Sequence, residues 1–129
     1  LDGAHSAESA RALVATFKTC FPSQPVVVIV AMAEDKDHRE ILKEIAHLEE
    51  QLQCVIVTSV AIAGARSRSA APERIAEIAR EVLPTRVALR SVSNLSTGLK
   101  EACAGPHVVL VTGSLHAAAE AGCLLGYKP

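Results

Sequence analysis

The chain has 129 residues, 13 Lys and Arg against 14 Asp and Glu, and half of its residues are apolar. That length suits one domain with a core of its own. A near-neutral balance without a basic block, with one Tyr, two Phe and no Trp, argues against a nucleic-acid footprint. The longest uninterrupted apolar stretch, Val26 to Ala33, is far short of the roughly 20 residues that a membrane span requires, so a soluble protein without a membrane partner is expected.

In chain order, Leu1-Asp2-Gly3 reads as the end of a strand entering a turn. The sequence opens without an initiator Met or a signal-like segment, so the expectation is a fragment cut at a domain boundary of a longer protein. Ala10, Leu13, Val14, Phe17 and Phe21 then recur at helical spacing, with Ser6 placed to cap and Glu8 in the first turn. Val26 to Met32 is a continuous β-branched run, as expected for a strand covered on both faces. Ile41, Ile45, Leu48 and Leu52 form a second helical stripe, and Cys54 to Val60 a second strand. The third helix carries Ile75, Ile78, Ala79 and Val82; it starts at Pro72, which suits the first helical position, and stops before Pro84. A weaker strand follows at Arg86 to Val92, then a helix at Leu95 to Cys103, a strand at Val108 to Thr112 and a helix at Leu115 to Leu125.

Strand and helix alternate throughout, which predicts a single α/β domain over residues 1–129. Its architecture is three-layer and Rossmann-like, a mostly parallel sheet with helices on both faces. The 22 alanines fit thin helix faces lying close on that sheet. Cys20, Cys54, Cys103 and Cys123 lie far apart with no CxxC, which predicts reduced, mostly buried thiols rather than a disulfide framework.

Ligands of open α/β sheets bind outside the carboxyl ends of the strands. That rule selects the turns that follow the strands, and each of their polar residues has two readings. Asp2 and His5 can face one ligand, the carboxylate accepting from ribose hydroxyls and the imidazole donating to a phosphate or carboxylate; alternatively Asp2 caps backbone amides and His5 is solvated. Lys36, between Asp35 and Asp37, can place a cation near a phosphate or belong to a solvated charged turn. Arg66 and Arg68 can fork a phosphate or carboxylate, or be ordinary exposed loop arginines. Ser114 follows Gly113 at the start of a helix, where free amides suit an anion, and can equally be an N-cap.

Several chemistries are disfavoured. The five histidines never pair with each other or with Cys at metal-ligand spacing. There is no G-x-S-x-G elbow, no G-x-G-x-x-G and no G-x-x-x-x-G-K-[ST] loop, so an ATP enzyme built on this chain would carry its phosphate cradle elsewhere.

The segment Leu1-Asp2-Gly3-Ala4-His5-Ser6-Ala7-Glu8-Ser9 resembles the LDGAHN turn that opens the C-terminal domain of folylpolyglutamate and dihydrofolate synthases, in the Mur ligase superfamily. Ala31-Met32-Ala33-Glu34-Asp35-Lys36-Asp37 is similar to the family's G-M-x-x-D-K-D segment, and Val111-Thr112-Gly113-Ser114-Leu115-His116 to its V-T-G-S-L-Y ending. Arg68-Ser69-Ala70 stands at the family's arginine element before a helix. Ser6, Ala31 and His116 depart from the pattern, where the family has Asn, Gly and Tyr.

The resemblance implies an ATP-dependent ligase that adds L-glutamate to dihydropteroate or folates through an acyl phosphate. The P-loop and Mg²⁺ ligands would lie in a preceding ATPase domain, so that this domain alone is inactive. It also implies residue roles: Asp2 and His5 in catalysis and nucleotide binding; Lys36, Asp37 and Arg68 in nucleotide binding; His5 and Ser114 in glutamate binding; no metal ligand in this domain. A cytoplasmic or mitochondrial-matrix enzyme would fit the reduced cysteines. Two other readings compete: a stand-alone α/β module that senses a small anion, and the C-terminal domain of a peptidoglycan Mur ligase.

Overall fold

The computed structural model describes residues 6–60, 69–113 and 115–126. Helix α1 (Ala7–Cys20) starts at the expected Ser6. The Ser6 hydroxyl accepts from the Ser9 amide at 3.2 Å and the Ser9 hydroxyl accepts from the Ser6 amide at 3.1 Å, so two amides at the helix start are satisfied reciprocally. Ala10, Val14 and Phe17 face inward. Phe21, expected in the same stripe, is the C-cap residue, 41% exposed, and its ring leans on Phe17 at 5.0 Å between centroids.

Strand β1 (Val26–Val30) is buried at all five positions. Helix α2 (His38–Ala46) follows, capped by Asp37, whose side chain accepts from the Glu40 amide at 3.3 Å. The helical stripe predicted through Leu52 stops earlier. The chain turns through a short 3-10 segment at Glu49–Gln51, with Glu49 at φ +55°, and Leu52 opens strand β2 (Leu52–Val57). Leu52 is buried in the same core as Leu48, so a four-residue spacing between buried leucines imitated a helix across a turn.

Helix α3 (Pro72–Val82) has Pro72 in its first turn and ends two residues before Pro84, as expected. Strand β3 (Ala88–Ser91) is short and mostly exposed; helix α4 (Leu95–Ala102) is capped by Asn94, which accepts from the Thr97 amide at 2.8 Å. Strand β4 (Val108–Thr112) and helix α5 (Leu115–Leu124) complete the order.

The four strands form one all-parallel sheet in the order β3-β2-β1-β4. Alternate residues of β1 enter two cores. Val26, Val28 and Val30 meet Phe17 of α1, Ile41 and Ile45 of α2 and Ile75 of α3. Val27 and Ile29 meet Leu95 and Leu99 of α4 and Ala117 and Ala121 of α5. Helices therefore cover both faces, three on one and two on the other. Alanine does supply thin inner helix faces: Ala10, Ala76, Ala79, Ala102, Ala117 and Ala121 are buried.

The thiols depart from expectation. None of the four is in a disulfide, but Cys20, Cys103 and Cys123 are exposed and Cys54 is half-buried. Cys20 and Cys103 lie at helix ends, beyond the positions that face the sheet, where a small apolar side chain has no core to enter. Burial pushes the Cys54 thiol up from its ordinary value.

On the three-helix face, α1 and α2 are joined through Glu44, a buried carboxylate. Arg11 donates to its Oε1 from Nη2 at 3.1 Å and Nε at 3.3 Å, and His47 Nδ1 lies 3.3 Å from Oε2. The Arg11 guanidinium holds this carboxyl below its usual value, against the opposing effect of burial. At the carboxyl edge of the sheet, Gly113 has φ +106°, and a Cβ there would meet the Ala31 carbonyl oxygen, with Val30 Cγ2 at 2.9 Å. Gly98 in α4 differs: a Cβ would find ordinary contacts, the nearest being Val92 Cγ2 at 3.4 Å.

Two predictions follow from these contacts. A carboxylate with a lowered folded-state pKa contributes stability that is present above its unfolded value and lost as the pH falls through the folded one. Arg11→Met should therefore cost about 1 kcal/mol at neutral pH, Arg11 being largely exposed, and the deficit should shrink as the pH drops below 4.5. Urea unfolding of both proteins across pH checks this; a pH-independent deficit would assign the loss to packing. Gly113→Ala should cost about 2 kcal/mol or more, whereas Gly98→Ala should be neutral or gain up to about 1 kcal/mol from helix propensity. Comparison of their melting temperatures decides, and equal behaviour would contradict the geometry.

Candidate ligand site at the carboxyl rim of the sheet

Strand order fixes where a site can form. From β1 the chain passes to β2 through α2 on one face, and it returns from β3 to β4 through α4 on the other. The strands flanking β1 are thus reached over opposite faces, and the carboxyl ends of β1 and β4 meet at the topological switch point. Val30 pairs with Thr112 at these ends, and the Ala31 amide donates to the Thr112 carbonyl at 3.3 Å. Gly113 lets the two chains approach this closely, because a side chain there would strike the Ala31 carbonyl.

The turn after β1 is built from its own backbone. The Ala33 carbonyl accepts from the Lys36 amide at 3.2 Å, and the His38 amide donates to the Lys36 carbonyl at 3.0 Å. His38, nearly buried, brings its Nε2 to 2.8 Å from the same Ala33 carbonyl. On its other side the turn is joined to the segment that leads into α3. Ala33 bridges Ser69, the Ala70 amide donates to the Met32 carbonyl at 2.7 Å, and the Ser69 hydroxyl accepts from the Val60 amide at 3.2 Å. Val60 and Ser69 are therefore both held beside the β1 turn.

Lys36 and Asp37 occupy that turn, and both are exposed. Asp37 gives one carboxylate oxygen to the α2 cap. Lys36 forms no ion pair with any described residue. Asp2, His5, Arg68 and Ser114 lie outside the described residues. Two groups that sequence reading passed over belong to the framework. His38 pins the turn and Ser69 joins Val60 to it, yet neither is signalled by spacing, since both act through backbone groups several residues away. Thr58 and Thr112, buried at the carboxyl ends of the strands flanking β1, have hydroxyls with no hydrogen-bond partner among the described residues.

Among the described residues, cavities are found away from this rim. One of about 560 Å³, lined by Lys18, Pro25, Glu49 and Gln51 among others, opens where the chain enters β1 and β2. Among the described residues no group of three or more His, Cys, Asp or Glu side chains is arranged to hold a metal ion, and no helix is long and apolar enough to cross a membrane.

The fold and its rim have counterparts among solved structures. Folylpolyglutamate synthase of Mycobacterium tuberculosis, solved with ADP and AMPPCP, is 29% identical with a TM-score of 0.79; the similarity covers 100% of this chain and 30% of that one. The bifunctional folylpolyglutamate synthase/dihydrofolate synthase of Yersinia pestis is 26% identical with a TM-score of 0.73, covering 97% of this chain and 27% of that one. A bifunctional enzyme of the same kind, solved with Mn, AMPPNP and L-glutamate, is also 26% identical, with a TM-score of 0.71, covering 97% and 28%. No curated protein matches. The chain thus spans less than a third of each of these enzymes. The model of the family described as Mur ligase, glutamate ligase domain, matches residues 1–115, and the chain belongs to that family.

Proposed function

We propose that this chain is the C-terminal domain of an ATP-dependent ligase that joins L-glutamate to dihydropteroate or a folate, working with a preceding ATPase domain. The observation that carries the reading is the junction at the switch point. The two segments that resemble the ligase motifs, Ala31 to Asp37 and the one that begins at Val111, meet there, through the hydrogen bond between Ala31 and Thr112 and the close approach of Gly113 to the Ala31 carbonyl. The ADP, AMPPNP and L-glutamate bound in the related enzymes support the same ligand classes for this rim.

The residues present fit ATP at its edge. Lys36 is an exposed cation without an ion partner among the described residues, on a turn fixed by three hydrogen bonds, so it can meet a phosphate without first breaking an internal pair. No Gly-rich phosphate cradle exists in the chain, which leaves most of the nucleotide and its Mg²⁺ to the other domain. ATP, when bound, supplies the phosphoryl group that activates the substrate carboxylate for attack by the glutamate amine. In this proposal Asp2 and His5 orient the nucleotide and the reacting groups, and Lys36, Asp37 and Arg68 hold the nucleotide. His5 and Ser114 position glutamate.

In the full-length protein, phosphate release should require ATP, L-glutamate and a pteroate or folate together. Asp2→Ala and His5→Ala should each lower turnover by roughly 10²-fold with the fold intact; near wild-type rates would remove them from the site. Ser114→Ala should raise KM for glutamate, and an unchanged KM would reduce it to a helix cap.

A further inference from the structure

The turn that carries Lys36 has a feature that its proposed role does not use. His38 lies in the first turn of α2, is nearly buried, and spends its imidazole on a backbone carbonyl of the preceding turn rather than on a side chain or solvent. A carbonyl oxygen only accepts, so Nε2 carries the proton and donates to Ala33. The Ala33 carbonyl thus receives two donors, the Lys36 amide at 3.2 Å and His38 Nε2 at 2.8 Å, which closes residues 33–38 into a small ring with Lys36 at its outer edge. The other side of Ala33 is held by the Ser69 bridge, so the ring has a fixed base.

We infer that His38 is a positioning residue for Lys36: its bond to the Ala33 carbonyl holds the turn in the conformation that presents the Lys36 ammonium to an anionic phosphate at the carboxyl rim of the sheet. This rests on the proposed nucleotide role of Lys36. A lysine has a long, rotatable stem, and its affinity for a phosphate depends on how much freedom the backbone beneath it has already lost. Asp37 cannot replace His38 here, because its hydrogen-bonded oxygen faces the other way along the chain, onto the α2 amide of Glu40.

The test is binding of a non-hydrolysable ATP analogue to the full-length protein, measured by calorimetry, with four variants. His38→Leu keeps an apolar side chain in the buried site and removes the donor; His38→Gln keeps an N–H donor at similar reach. Lys36→Met should weaken binding about 10-fold and His38→Leu about 3- to 10-fold, while His38→Gln should stay within about 2-fold of wild type. Lys36→Met combined with His38→Leu should bind no more weakly than Lys36→Met alone, since a positioned group that is gone cannot be mispositioned. Hydrogen exchange at the Lys36 amide should accelerate in His38→Leu and not in His38→Gln.

Independent, multiplying effects of the two substitutions would overturn the inference, as would full affinity in His38→Leu or in Lys36→Met. The binding pattern stands apart from the reaction. If it is observed but no pteroate or folate supports phosphate release, the ligase reading falls and the positioning of Lys36 by His38 holds.

Discussion

Everything in this domain hangs on burying β1 on both faces. Five consecutive residues, Val26 to Val30, have almost no solvent contact, so each successive side chain needs a hydrophobic partner on alternate sides of the sheet. That requirement recruits α1, α2 and α3 to one side and α4 and α5 to the other. It also places β1 where the strand order reverses, and a strand so enclosed can be reached by ligand only beyond its end. The position of the candidate site is thus a by-product of the packing: the carboxyl end of β1 is itself buried, with Ala31 against Thr112 on one side and Val30 bonded to the Thr58 amide on the other, and only the turn that follows, at residues 34–37, is exposed.

Much of this was legible in the sequence, for identifiable reasons. Continuous β-branched runs mark β1 and β4 because strands covered on both faces admit no polar alternation. Pro72 and Pro84 bound α3 through their fixed backbone and missing donors, and Ser6 stands as the cap of α1. Errors arose where one-dimensional spacing stood in for a path through space. Leu52 sits four residues after Leu48 and is just as buried, but a 3-10 turn separates them. Phe21 continues the α1 period on paper and leaves the helix in fact. Cysteine was expected inside because it usually is, whereas three of these four fall where no core exists.

The site divides along the same line. Its location follows from alternation of elements plus the rule for open sheets, and the residues at the rim follow from the turns. The framework did not follow: His38 and Ser69 bind backbone atoms whose proximity depends on how two turns meet, and no residue pattern encodes that meeting. Gly113 is intermediate. A glycine after a strand is an ordinary turn signal, but its reason here, the Ala31 carbonyl pressed against the place of a Cβ, is visible only in three dimensions.

The outer strand β3 has its own consequence. Among the described residues its backbone pairs with β2 and with no strand on its other side, which makes that side a template that another extended chain could join. The strand is four residues long and mostly exposed, and its Arg90 is paired with Glu101 of α4 at 2.9 Å, so the strand carries a guanidinium instead of an apolar row. An incoming strand would have to desolvate that charge while gaining only a few backbone bonds. Among the described residues the border at β3 is thereby guarded against self-association by shortness and charge, whereas the longest apolar β-branched run is enclosed in β1 between β2 and β4.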